Sequence, residues 1–183
     1  RRAMRVLSAE DCDYGYRASR FKTTEKNLIV TSVLFALSKT FNPVYGYKEL
    51  EAIFGDRRPE SAKELEEAVR AVRARKVLPN AGSFFKNPVV TRTKMLHLLE
   101  ETPSLVSYPL GGARAKIAAG WLIEACGLKG KRMGQAGVYE RQALILVNYG
   151  GATGAEIKAL AEEVARNVKY RFGVELEPEP VIL

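Results

Sequence analysis

The sequence predicts an α+β fold. Helical stripes and β-rich segments alternate without the regular βαβ rhythm that marks a parallel α/β sheet. The chain has 183 residues, 46% hydrophobic and 27% charged, which suits a globular core. Its apolar runs, such as residues 143–147, are strand-sized, far from the ~20 residues that a membrane-spanning helix needs. No charged-then-apolar secretory leader precedes them. Arg1 to Met4 lead straight into an apolar segment, which reads as a fragment boundary.

Residues 27–37, NLIVTSVLFAL, are rich in β-branched and aromatic side chains and predict a strand. Asn42, Pro43 and Gly46 punctuate the next stretch. Ser61 and Glu64 have capping-box spacing and open a helix. Leu65, Ala68, Val69 and Val72 form its apolar stripe, and Pro79 forbids its continuation. A break near residues 78–80, between the strongly charged helix and a Gly/Pro-punctuated loop, is the predicted domain boundary. A second helix is expected over residues 93–101 and a third over 116–126, ended by Gly127 as a left-handed C′ residue. Residues 141–147 predict a buried strand. Thr153 and Glu156 repeat the capping box, and Ile157, Leu160, Ala161, Val164 and Val168 make the longest stripe. Gly173 stops that helix. Residues 174–183, with Pro178 and Pro180, fit an edge strand.

Charge and cysteine content bound the function. Lys and Arg number 29 against 21 Asp and Glu, a net charge of +8. Such a chain attracts anions: nucleic acid, an acidic membrane surface or a phosphorylated small molecule. A solvated, Arg-rich surface fits equally, and no run of five basic residues points to nucleic acid. Cys12 and Cys126 form no CxxC pair, and with His97 they fall short of the four ligands of a structural zinc site. Two cysteines imply a reducing, cytoplasmic compartment. His97 lies in a helical segment and reads as a surface residue. A general acid or base is therefore expected to be Ser, Tyr, Lys, Asp or Glu.

Four segments stand out chemically. Residues 14–22 interleave Tyr16, Arg17 and further aromatics and cations, suited to stack a planar group and clamp an anion, or to form a basic turn. Residues 80–88, NAGSFFKNP, set a hydroxyl, two rings, an amine and an amide after small residues. A turn whose two phenylalanines are core fits them too. Residues 127–138 carry four glycines and three cations in twelve residues, without the spacing of a Walker or dinucleotide loop. Residues 176–180, LEPEP, hold two carboxylates around a proline, which also suits a solvated acidic end.

Together these segments resemble one family, the UDP-N-acetylenolpyruvoylglucosamine reductases (UDP-N-acetylmuramate dehydrogenases, the MurB flavoenzymes of bacterial peptidoglycan synthesis). The matches run in order: GYRASRFK at 15–22, NAGSFFKNPVV at 80–90, AGWLIEACGLKGKRMGQAGV at 119–138, QALILVN at 142–148 and LEPEP at 176–180. The resemblance implies FAD and NADPH as cofactors and UDP-N-acetylenolpyruvoylglucosamine as substrate. Hydride reaches C3 of the enolpyruvyl group from reduced flavin, and an enzyme acid protonates C2. It implies Ser83 as proton donor, Arg17 as the cation facing the enol and carboxylate, and Glu179 as the catalytic acid partner. It implies substrate contacts at Tyr47, Lys76, Asn87, Tyr108 and Gln142, with Tyr108 on a mobile loop, and no metal site.

The family's N-terminal, Gly-rich flavin-binding half is expected to lie outside this chain. The resemblance thus divides the residues into 1–78, the end of a VAO/PCMH-like FAD-binding domain; 79–172, the α+β substrate-binding domain; and 173–183, a tail strand returning to the flavin-binding region. The chain is expected to be a cytoplasmic monomer that is inactive by itself, serving cell wall biogenesis, cell shape and cell division. Its partners are the UDP-linked substrate and a complementary FAD-binding half, not nucleic acid or membrane. Two alternatives stand beside this: a non-enzymatic anion-binding module that keeps the substrate-domain fold, and a basic nucleic-acid binder.

Overall fold

The protein is described by a computed structural model covering residues 4–74 and 78–182. The chain divides into two compact units, Arg1–Lys76 and Val77–Leu183.

The first unit is helical and loop-rich. A short helix α1 spans Arg20–Thr23, followed by α2 (Lys48–Phe54) and α3 (Ala62–Ala74). Leu50 and Phe54 of α2 are buried, and the Phe54 ring meets Tyr45 edge-on at 5.6 Å. The Ser61 hydroxyl accepts from the Glu64 amide at 3.2 Å, the expected half of a capping box. The reciprocal bond shifts by one residue: the Glu64 carboxylate accepts from the Glu60 amide at 2.6 Å.

The strand expected over residues 27–37 is absent. The segment is irregular, and Ile29, Leu34 and Leu37 are exposed. β-Branched side chains favour a pleated, half-buried surface, and a strand needs a ladder partner. Among the described residues of this unit none pairs with it.

The second unit holds the α+β core. In chain order it contains β1 (Asn80–Ser83), β2 (Val89–Thr91), α4 (Arg92–Glu101), β3 (Ser107–Leu110), β4 (Arg114–Ile117), α5 (Ala119–Ala125), β5 (Arg132–Met133), β6 (Ala136–Val138), β7 (Ile145–Asn148) and α6 (Gly154–Phe172). Two antiparallel sheets result, one ordered β1-β7-β6-β5 and the other β2-β4-β3. One apolar cluster includes Phe85, Leu98, Ile117, Leu122, Ile123, Leu160, Val164 and Val168.

Most expected helix bounds hold. Helix α4 starts one residue early, and α6 carries the whole predicted stripe inward. Gly127 and Gly173 take left-handed φ angles of 71° and 61° after their helices. His97 lies exposed on α4, with Nδ1 3.7 Å from Glu101.

Three bounds are corrected. The segment 116–126 opens as strand β4, and helix begins only at Ala119, because β4 pairs on both sides with β2 and β3. The strand expected from residue 141 begins at Ile145, since residues 139–142 turn back on themselves through the Gln142 amide to the Tyr139 carbonyl. Among its described residues the tail forms no strand of its own, only an isolated antiparallel bridge between Phe85 and Pro178.

The capping box at α6 is complete. The Glu156 amide donates to Thr153 Oγ1 at 3.2 Å, and the Thr153 amide donates to Glu156 Oε2 at 2.7 Å. Thr153→Ala is expected to cost about 1 kcal/mol in chemical denaturation. The Thr153 amide, and then its hydroxyl, hold the Glu156 carboxyl below its ordinary pKa. A carboxyl depressed in the folded state stabilises above its unfolded pKa. That contribution disappears as pH falls through the folded value. The wild type should therefore lose stability on the acid side of the carboxylate range more steeply than Thr153→Ala.

Candidate functional site

The site builds up from β1. Asn80 folds its side chain onto the backbone, with Oδ1 accepting from the Gly82 amide at 2.8 Å and Nδ2 donating to the Leu78 carbonyl at 2.7 Å. This local turn interrupts the β1–β7 register between Asn80 and Ser83. Ser83 ends the strand opposite Ile145 and is exposed. Phe84 and Phe85 then turn inward, their rings 5.2 Å apart, and anchor the segment in the core. Both expected features of NAGSFFKNP hold together: a core pair of rings, and polar groups displayed on either side of it.

The tail closes against this segment. The Phe84 amide donates to the Leu144 carbonyl at 2.7 Å, and the Phe84 carbonyl accepts from the Glu179 amide at 2.8 Å. The Lys86 amide donates to the Glu177 carbonyl at 2.9 Å, and the Lys86 ammonium pairs with the Glu177 carboxylate. Glu179 is half-buried. Residues 176–180 are thus docked through their backbone, with the Glu177 carboxylate still largely exposed. Glu179 is in hydrogen-bond register with Phe84, one residue from Ser83.

Asn87 and Gln142 meet at the first turn of α5. Asn87 Oδ1 accepts from the Ala119 amide at 2.9 Å. Gln142 lies over Gly120, where a Cβ would come within 3.2 Å of its Oε1 and 3.3 Å of Leu144 Cγ. Glycine ordinarily weakens a helix interior, so its presence here fits the close approach of the carboxamide. The Leu144 carbonyl also receives the Phe84 amide, and the Leu144 amide donates to Gln142 Oε1 at 3.4 Å, so Leu144 links Gln142 to the Ser83 segment.

The remaining candidates are spread more widely. Tyr108 on β3 lies opposite Lys116 in the register, its ring 5.3 Å from the Lys116 ammonium, and is about half exposed. Arg17 and Tyr47 belong to the first unit. Arg17 sits at the tip of a tight hairpin closed by Gly15 and Ala18, with a left-handed φ of 56°. That conformation is uncommon for a residue with a Cβ and costs of order 1–3 kcal/mol. Tyr47 is exposed at the start of α2, its carbonyl accepting from the Leu50 and Glu51 amides. Lys76 lies outside the described residues.

The glycine-rich segment 127–138 does not fit a dinucleotide. Phosphate binding there needs backbone N–H groups or cations turned to the ligand. The Gly130, Lys131 and Val138 amides instead donate to Val138, Leu128 and Lys131 carbonyls. Lys129 pairs with Glu124 at 2.8 Å, Lys131 pairs with Glu163, and the Arg132 guanidinium stacks 3.5 Å over Tyr149. A Cβ at Gly137 would stand 2.7 Å from that tyrosine ring. The segment is a packed hairpin, not a cradle for FAD or NADPH. Among the described residues, no three His, Cys, Asp or Glu side chains could hold a metal ion, and no helix is long and apolar enough to cross a membrane.

Two features had no signature in the sequence. Lys86 and Glu177 are 91 residues apart, and only the fold joins them. Gly120 under Gln142 is likewise invisible without the turn that brings residue 142 back over α5.

A family model described as the UDP-N-acetylenolpyruvoylglucosamine reductase C-terminal domain matches residues 70–183. Two curated relatives named UDP-N-acetylenolpyruvoylglucosamine reductase, from Paraburkholderia xenovorans and Chromobacterium violaceum, are each 49% identical over 97% of this chain and 54% of the relative. The chain therefore spans about half the length of the curated relatives it matches. A crystal structure of the reductase of that family from Thermus caldophilus superposes with a TM-score of 0.38 and 27% identity, over 66% of this chain and 35% of that one.

Proposed function

This chain belongs to the UDP-N-acetylenolpyruvoylglucosamine reductase C-terminal domain family, and we propose that it handles the substrate in the NADPH- and FAD-dependent reduction of UDP-N-acetylenolpyruvoylglucosamine to UDP-N-acetylmuramate. In this reading residues 79–172 are the substrate-binding domain. Residues 1–78 close a flavin-binding domain, and residues 173–183 return toward it. Both cofactors are held by residues other than 127–138. The setting is cytoplasmic peptidoglycan synthesis.

The chain's own residues account for the proton and for orientation. Reduction at C3 leaves negative charge on C2 and the adjoining carboxylate. Ser83 donates its hydroxyl proton to C2, with Glu179 as its acid partner. Arg17 stabilises the developing charge, as a cation must where an enolate forms. Asn87 and Gln142 orient the substrate beside the first turn of α5, Tyr47 and Lys76 contact its diphosphate, and Tyr108 closes over the substrate. The observation that supports this best is the register of the tail, in which the Glu179 amide bonds the Phe84 carbonyl beside Ser83.

Titration of the ¹⁵N-labelled chain with UDP-N-acetylenolpyruvoylglucosamine tests it. Amide shifts are expected to concentrate at Ser83, Asn87, Gln142 and Glu179. Shifts confined to the exposed face of α6 would overturn the assignment. Salt-sensitive binding of DNA in place of the sugar nucleotide would favour the nucleic-acid reading instead.

A further inference from the structure

We infer that Lys86 is a positioning residue that sets the register of the carboxylate-bearing tail, so that Glu179 rather than Glu177 stands in line with Phe84. The tail carries glutamates at every second position: Glu175, Glu177 and Glu179. Its Glu-Pro-Glu-Pro sequence repeats every two residues, so a two-residue slip offers the backbone nearly the same partners. Pro178 has no N–H to donate. The contact is short, with one bridge at Phe85 and Pro178 and a backbone bond on either side. Registers are weakly specified where sequence and ladder leave alternatives open.

Two cations remove the ambiguity. Lys169 pairs with Glu175 at 2.7 Å, and Lys86 pairs with Glu177. Slipping so that Glu177 faced Phe84 would bring Glu175 to Lys86 and pull it from Lys169. It would also drag the buried Val174 and Leu176 out of place. The Lys86 side chain is only 22% exposed. The Glu177 carboxylate is 72% exposed, so the pair stays open to screening by salt. Glu179's chemical role in this rests on the function proposed above, whereas the register rests on contacts that stand without it.

The test compares Lys86→Met, Lys86→Arg and Glu177→Gln in the intact chain by amide hydrogen exchange. With Lys86→Met or Glu177→Gln, the Glu179 amide should exchange about fivefold faster, while Leu160 and Val164 of α6 keep their protection. Lys86→Arg should restore the wild-type rate. In the wild type, 1 M salt should speed exchange at Glu179, and in Lys86→Met it should not. Unchanged Glu179 exchange in Glu177→Gln, or an equal acceleration in Lys86→Arg, would overturn the inference. If Lys86→Met loosens α6 as well, Glu177→Gln decides, because that carboxylate is 72% exposed and its change leaves the core intact. If the register result holds but the UDP-linked sugar shifts no amide near Ser83, the positioning role stands and the proposed function fails.

Discussion

Ser83→Ala, made in a reductase of its relatives' full length, should lower turnover of the enolpyruvyl substrate by at least about a hundredfold while leaving substrate affinity within a few-fold of wild type. A serine hydroxyl is a weak acid in water. It becomes a donor only when its proton is met by a developing carbanion and its neighbours hold it in line. Ser83 ends β1 with its backbone fixed opposite Ile145, so removing the hydroxyl leaves the strand in place. General acid catalysis contributes roughly 10²–10⁴-fold, or about 2.7–5.4 kcal/mol at ~1.36 kcal/mol per decade. Because the proton is needed only in the transition state, the loss should fall on kcat and not on binding. Turnover and equilibrium binding measured on one preparation separate the outcomes. An equal loss in both would make Ser83 structural. No loss in either would move the proton to another group, such as Glu179.

Phe85→Ala should produce the largest loss of stability in the second unit, about 3–5 kcal/mol. Phe85 is 2% exposed, meets the Phe84 ring edge-on and itself forms the bridge to Pro178. Its truncation removes buried apolar area and leaves a cavity that the two flanking elements cannot both collapse into. Domains are stable by only about 5–15 kcal/mol, so the variant should approach the unfolding threshold at room temperature. Denaturant titration checks it against Leu34→Ala in the first unit. Leu34 is fully exposed, and its truncation should stay within about 0.5 kcal/mol. A cost below about 1 kcal/mol at Phe85 would show that the core closes without that ring.

Helices α3 and α6 were legible because their signals are local, whereas α1 and α2 were not foreseen and α5 was begun three residues early. The stripe from Ile157 to Val168, the Thr153–Glu156 box and Gly173 lie within one segment, and α6 matches them residue for residue. Helix α4 was placed within one residue. The candidate site residues were named as an ordered set of motifs: Asn80 to Pro88, Gln142, and Glu177 to Glu179 could each be picked out, though not connected. β-Structure was read less well. Residues 27–37 have strand composition and no strand, whereas Ser107–Leu110 and Arg114–Ile117 form a sheet that no local signal announced. Strand propensity describes a fit to a surface that other strands must supply, so it cannot be decided within one segment.

By itself, then, the sequence determined the α+β class, the caps and stripes of its helices, and the residue types able to move a proton and hold an anion. Tertiary structure decided their placement. It turned Phe84 and Phe85 inward so that Ser83 and Lys86 stand outside them, and it seated Gln142 over Gly120 beside the Asn87 cap. It also engaged the three cations of residues 127–138 with Glu124, Glu163 and Tyr149. The reason is the range of the forces involved. Capping and periodic burial act over three or four residues, within reach of the chain's own order. Ladder register and ion pairing join residues as far apart as Lys86 and Glu177, which meet only when the sheet and the tail have closed.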